Sequence, residues 1–343
     1  MAIQRFDRDG DLVGDATVLE VHDLSVEYGT GKGSARAVDR VSFELSSGEF
    51  LAIVGESGCG KSTLLFAITQ LLSPPAETIG GSVLFKGKDM VQLSEKQLRH
   101  VRWRDYSVVM QSAMNALNPV KTIAAQFKDA LDAHAKMSKA EIRGRSAEVL
   151  RMVGIDPLHL KSFPHQLSGG MRQRAMIAMA LLFTPELIVM DEPTSALDVV
   201  AQRSLMIQIK QLQDQLGFAI IFVTHDMSLV ARYSDRLAVM YAGQISEIRR
   251  TAALFDKPYH PYSRGLLDAF PSVWGPRVVL EGIPGSPPDL TALPPGCRFA
   301  PRCPQVMARC TEVEPDLYPV EDALVRCLLY EPDSETREDE AHG

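Results

Sequence analysis

The chain lacks any apolar stretch long enough to cross a bilayer as a helix. Its longest apolar run, Ala175 to Phe183, is halted by Thr184 and Pro185, short of the roughly 18 residues a spanning helix needs. A secretory leader is missing too, because Met1 to Asp15 is polar and acidic with no apolar centre. Both absences lead to the expectation that the chain stays in the cytoplasm. Basic excess is also missing. With 36 Lys+Arg against 43 Asp+Glu the formal charge is −7, which argues against nucleic acid as the main partner, since such binding draws its affinity from neutralised phosphates. Cysteine is scarce, five in 343 residues, and in a reducing compartment these are poor disulfide candidates. No repeat of roughly 20 to 50 residues is visible.

What is present is an ordinary soluble composition, 45% hydrophobic, over a length that exceeds a typical single core of roughly 100–200 residues. One large α/β domain with an appendage is the expectation. Apolar residues alternate at Leu24, Val26 and Tyr28 and again at Val41, Phe43 and Leu45, around Gly29, Gly31 and Gly33, which reads as antiparallel strands about a glycine-rich turn. A continuous apolar strand, Phe50 to Val54, runs into glycines and a helix starting near Lys61. From about Met90 to His165 the period becomes helical, as in Glu141 to Val153. Apolar strands follow at Leu187–Met190 and Ala219–Val223, separated by a helical stretch Val199–Leu216, the pattern of a parallel sheet covered on both faces. Seven of the 21 prolines lie between Glu281 and Pro304, so a boundary to a loop-rich C-terminal module falls near 258–285.

The strongest local signal is Gly55-Glu56-Ser57-Gly58-Cys59-Gly60-Lys61-Ser62, followed by Thr63 and placed directly after a strand. Its glycines let the backbone curl so that successive N–H groups face phosphate oxygens. Lys61 then neutralises the β- and γ-phosphates, and Ser62 can ligate Mg²⁺. Cys59 reads as a small filler within the loop. Next, Leu187 to Met190 delivers Asp191 and Glu192 to a strand end, where Asp191 can hold a metal's water shell and Glu192 can face the water that attacks the γ-phosphate. A third element, Leu167-Ser168-Gly169-Gly170-Met171-Arg172-Gln173, offers a helix N-terminus to an anion.

Together these motifs resemble the ATP-binding-cassette (ABC) ATPases, with Met171 where that family usually carries glutamine. The resemblance covers about residues 17–255. It implies a mixed sheet with helices, an antiparallel β-subdomain and a helical subdomain at about 90–170. It also implies that Ser168, Gly169 and Gly170 face the γ-phosphate of ATP held by an opposite subunit. Tyr28 matches the aromatic that stacks on adenine, although a strand-end core tyrosine competes with that reading. Gln111, after the strand Tyr106 to Met110, matches the glutamine that contacts Mg²⁺ and the attacking water. Asp198 in Ser195-Ala196-Leu197-Asp198 matches the loop coupling the two sites of a dimer, and His225 matches the histidine that contacts the γ-phosphate.

Asn115-Ala116-Leu117-Asn118-Pro119, His260-Pro261-Tyr262-Ser263 and Gly296-Cys297-Arg298-Phe299-Ala300-Pro301-Arg302-Cys303-Pro304 resemble the oligopeptide, dipeptide and nickel importer branch and its C-terminal extension. The expected organisation is a polar leader (1–16), an ABC ATPase domain (17–257), a cysteine-bearing extension (258–330) and an acidic tail (331–343). Cys297, Cys303, Cys310 and Cys327 suit tetrahedral Zn²⁺ or a [4Fe–4S] cluster equally well in number, and no two-residue spacing decides between them. The resemblance implies an iron–sulfur cluster in some members, so [4Fe–4S] is the expectation, with Zn²⁺ and then four unligated thiols as alternatives. The function implied is an ATP-hydrolysing subunit of an importer, for peptides on family frequency, with oligosaccharide or nickel as alternatives. Its expected partners are a second, related ATPase in a heterodimer, two permease subunits and, through these, an extracytoplasmic substrate-binding protein. The expected location is peripheral, on the cytoplasmic face of the cell membrane. Two rival readings are a non-transport cassette and a redox- or iron-sensing nucleotide switch. Against the first stand the single set of motifs and the 107 positions between Lys61 and Ser168, too short for a long coiled-coil insertion.

Overall fold

A computed structural model of the chain describes residues 16–30, 33–111, 116–195, 197–269 and 282–332. The described residues gather into two compact units, each built from separated pieces of chain: 16–20, 44–50 and 83–223 in one, and 21–43, 51–82 and 224–332 in the other. Asn115, Ala196 and nearly all of the leader and acidic tail lie outside the described residues.

In the first unit, Tyr106–Val109, Leu187–Asp191 and Ala219–Val223 form a parallel ladder with Leu187 as the central strand's first partner on both sides, opposite Tyr106 and Ala219. Every residue of these three strands is buried, as continuous apolar runs demand when both sheet faces are covered. Helix Val199–Leu216 spans the residues its periodicity predicts. Asp198 caps it by accepting from Ala201 N, Gly217 ends it in the left-handed conformation, and Leu205, Met206, Ile209 and Leu212 form its buried face. Helix Lys139–Met152 begins with a capping box from Ser138 and Glu141. Its Arg145 crosses to the end of helix Gly169–Ala180, donating to Leu181 O at 2.7 Å, Leu182 O at 2.8 Å and Thr184 Oγ1 at 2.8 Å. One guanidinium thereby reaches the Leu182 carbonyl where that helix ends and joins Thr184 N, at 3.0 Å, on the Leu181 carbonyl.

In the second unit, Leu51–Val54 runs parallel to Arg236–Tyr241, which turns through Ala242 and Gly243, both at positive φ, into the antiparallel strand Gln244–Arg250. Ala323–Val325 adds antiparallel to Gln244–Arg250, and Tyr318–Val320 adds to that. The C-terminal residues therefore extend the sheet that carries the phosphate-loop strand, and the core joins Val54, Val239 and Tyr241 to Tyr262 and Phe299. Among the described residues no helix is long and apolar enough to cross a membrane.

Candidate functional site

The phosphate loop follows a fully buried strand, Phe50–Val54, and opens helix Lys61–Ile68. Gly55 and Gly60 are required by the chain itself. A Cβ on Gly55 would stand 2.2 Å from Met240 O, and one on Gly60 2.0 Å from Ala37 O. Between them the backbone curls tightly enough that Lys61 Nζ donates to Gly55 O at 2.8 Å and Glu56 O at 2.9 Å. Cys59 is buried, and burial raises its thiol pKa, in keeping with a filler. Ser57, Gly58 and Ser62 face outward. Half-buried Tyr28 hydrogen-bonds Thr63 Oγ1 through its hydroxyl at 3.2 Å, which fixes the ring beside the start of the phosphate-loop helix.

In the other unit the strand Leu187–Asp191 ends on a buried Asp191. Glu192 adopts φ +44°, a left-handed conformation that costs a side-chain-bearing residue about 1–2 kcal/mol. The local structure holds it there: Glu192 N donates to Val223 O at 2.9 Å, and Ser195 N and Oγ donate to Glu192 O at 3.2 and 3.1 Å. The Glu192 carboxylate accepts from Gln111 Nε2 at 2.8 Å. The structure therefore brings together two residues 81 positions apart that the family pattern assigns to the attacking water.

Ser168 caps helix Gly169–Ala180, its Oγ accepting from Met171 N at 3.3 Å. A cavity of about 390 Å³ opens beside it, lined in part by Ser168, Gly170, Met171, Arg174 and Leu197. Gly170 has an ordinary backbone conformation, and a Cβ there would meet nothing within 4 Å.

Residues 38–195 match the ABC transporter family, and residues 246–310 match the oligopeptide/dipeptide transporter C-terminal region family. The chain is 46% identical over 301 residues to the dipeptide transport ATP-binding protein DppD of Bacillus subtilis, covering 87% of this chain and 90% of that one. It is 43% identical over 300 residues to the oligopeptide transport ATP-binding protein OppD of Salmonella typhimurium, covering 87% and 89%. The chain belongs to the ABC transporter ATPases of the oligopeptide/dipeptide branch. A dimeric ATP-binding cassette in a post-hydrolysis state with bound ADP and phosphate superposes with TM-score 0.61 at 28% identity, over 68% of this chain and 98% of that one.

In this ABC ATPase the departure at Met171 leaves the helix start intact, because the position is used through its backbone N–H. Asp198 is exposed and caps its helix through Ala201 N at 2.9 Å. His225 is exposed, one residue before Asp226, which caps helix Met227–Tyr233.

The expected four-thiol ligand set for a [4Fe–4S] cluster or Zn²⁺ is not assembled. Among the described residues no group of three or more His, Cys, Asp or Glu side chains could hold a metal ion. The sulfurs lie instead in neighbouring, partly shared packing groups. Cys303 borders the core around Tyr241, Tyr262 and Phe299. Cys310 sits with Ala300, Tyr318 and Leu328, and Cys297 touches both of these groups. Cys327 packs with Tyr259, Ala323 and Val325. Burial raises the thiols of Cys297 and Cys303 and pushes Cys327 up to about 11, with the neighbouring cysteines adding to the rise.

Sequence reasoning found His260 only as part of a family motif. Its ring is fully buried, its Nδ1 accepts from Tyr262 N at 3.0 Å, and burial lowers its pKa to about 4. Glu247 was missed altogether. Its carboxylate is buried, receives Tyr259 N at 3.0 Å and His260 N at 2.9 Å, and is raised in pKa by that burial. The signal was faint: one acid in a strand whose other residues, apart from Arg250, are also buried.

Proposed function

We propose that this ABC ATPase subunit energises the import of peptides, docked peripherally on the cytoplasmic face of the membrane against two permease subunits and paired with a second, related ATPase. Peptide is supported by relatives named for dipeptide and oligopeptide transport. The observation that carries the ATPase part is the phosphate loop, where Lys61 is drawn into a curl that Gly55 and Gly60 alone permit. An ammonium held at the head of a helix is a site for phosphate oxygens.

Within this reading Lys61 and the amides of Gly58 to Thr63 bind the phosphates, and Tyr28 lies against the adenine. The Glu192 carboxylate takes the proton of the attacking water. Gln111, already hydrogen-bonded to Glu192, keeps that carboxylate aimed, and His225 contacts the γ-phosphate. Ser62, Gln111 and Asp191 supply a hydroxyl, an amide and a carboxylate, the hard oxygen ligands that Mg²⁺ takes. Mg²⁺ so held would neutralise charge on the β- and γ-oxygens. Ser168, Gly169 and Gly170 serve the nucleotide of the opposite subunit, with Asp198 coupling the two. The chain's own packing leaves open space at Gly170, which gives an outside group room to approach the helix start. The four cysteines enter this reading as packed side chains of the C-terminal module, Cys310 and Cys327 buried and Cys297 and Cys303 half-buried. The test is to isolate the complex from cells through this chain, identify the companions and measure ATP hydrolysis with and without peptide. Co-purification of hydrophobic permeases and peptide-stimulated hydrolysis are expected. A complex without permeases refutes the transport reading.

A further inference from the structure

The phosphate loop contains one acidic side chain, Glu56, and a carboxylate in an anion-binding loop repels the phosphates it should receive. Arg302, 246 residues away in the C-terminal module, meets it with both prongs: Nη1 donates to Oε2 at 2.7 Å and Nη2 to Oε1 at 2.9 Å. The remaining reach of the guanidinium is spent inside the same module, with Nε on Pro284 O at 2.8 Å and Nη2 on Ile283 O at 3.3 Å, while Nη1 also approaches the Tyr241 hydroxyl at 3.3 Å. The Arg302 side chain is only 5% exposed. A two-pronged pair of this kind, buried on its arginine side, fixes geometry as well as charge. Glu56 is held at two further points. Its N–H donates to the Tyr262 hydroxyl at 3.0 Å, and its carbonyl accepts from Lys61 Nζ at 2.9 Å.

A second brace runs in parallel. Arg298, four residues before Arg302, donates to Ala242 O at 2.5 Å and pairs with buried Asp39. Gly243, next to Ala242, donates to Cys59 O of the phosphate loop at 2.9 Å, and Asp39 N donates to Gly243 O at 2.9 Å. Both arginines of the segment 297–303 thus terminate on the phosphate loop or on the turn that supports it.

We propose that Arg302 is a positioning residue for nucleotide binding: it neutralises Glu56 and fixes the carbonyl on which Lys61 rests, so that the C-terminal module sets the loop's affinity for phosphate. This rests on the ATP reading of the loop. The experiment titrates the full-length chain, with Mg²⁺, against a fluorescent ATP analogue. Wild type binds and Lys61→Ala does not; if wild type itself fails to bind, the loop reading fails and the proposal falls with it. Arg302→Gln, which leaves the Glu56 charge uncompensated, raises Kd about tenfold. Adding Glu56→Gln to it removes that charge and returns Kd to within about threefold of wild type, a rescue that damage to folding would not give. Arg302→Lys keeps the charge without the two-pronged grip, and an intermediate loss of about threefold is expected should Arg302→Gln not fold. Wild-type affinity in the binding-competent Arg302 variant, or a double variant as weak as Arg302→Gln alone, overturns the proposal.

Discussion

Two glycines of one loop are required for different reasons, and alanine separates them. Gly58 has φ +79° and a Cβ added there meets nothing within 4 Å; Gly60 has φ +103° and its Cβ would lie 2.0 Å from Ala37 O and 3.2 Å from Ala37 C. For Gly58→Ala only the backbone conformation is penalised, at about 1–2 kcal/mol. For Gly60→Ala a similar strain is joined by overpacking of about 1–3 kcal/mol, because the obstacle is main chain and cannot rotate away. The expected gap between the two variants is therefore about 2 kcal/mol, or about 3 °C in melting temperature for a chain of this size. Thermal unfolding of the nucleotide-free protein reads this directly, before any effect on phosphate binding enters. Equal melting temperatures, or a higher one for Gly60→Ala, refute the steric argument for the loop's shape.

Gly170→Ala places a methyl in open space on a helix start, so melting is expected to be unchanged or slightly raised while ATP turnover of the assembled complex falls at least about tenfold; unchanged turnover removes the external role of that glycine. Arg145→Met removes the donor that meets Leu181 O, Leu182 O and Thr184 Oγ1 and is expected to cost about 2 kcal/mol in chemical unfolding, with a loss below about 0.5 kcal/mol counting against it. His260 has a folded pKa lowered by burial to about 4 against an ordinary 6.5, so the unfolded chain binds the extra proton in that window and stability falls as pH falls through it. His260→Asn retains an acceptor for Tyr262 N, and wild type is expected to lose about 2 kcal/mol relative to it between pH 7 and pH 5. Parallel pH profiles would show that the histidine is not buried neutral; Glu247 titrates in both proteins and cancels in the difference.

What could be read from the sequence was local. The apolar runs Phe50–Val54 and Ala219–Val223 are strands over those residues, and the period over Val199–Leu216 is a helix over the same span, because each signal lies within one element. The phosphate loop was legible for the same reason: strand, glycines and lysine are contiguous. Illegible were contacts whose partners lie far apart. Arg302 to Glu56 spans 246 positions and Arg298 to Asp39 spans 259, and nothing in either local sequence names the other. The strands Tyr318–Val320 and Ala323–Val325 are three residues each, too short for a period. The clustering and number of the cysteines, with the family resemblance, suggested a shared ligand set, but neither carries information on which core each sulfur enters, and the four lie in neighbouring packing groups that overlap at Cys297.

The central claim is that this chain cleaves ATP with Glu192 as the base that Gln111 holds in place. The most direct test is the complex isolated through this chain with Glu192→Gln, assayed for bound nucleotide and for turnover together. ATP retained on the complex with turnover lowered at least about 100-fold is the expected result, and turnover at the wild-type rate would contradict the account.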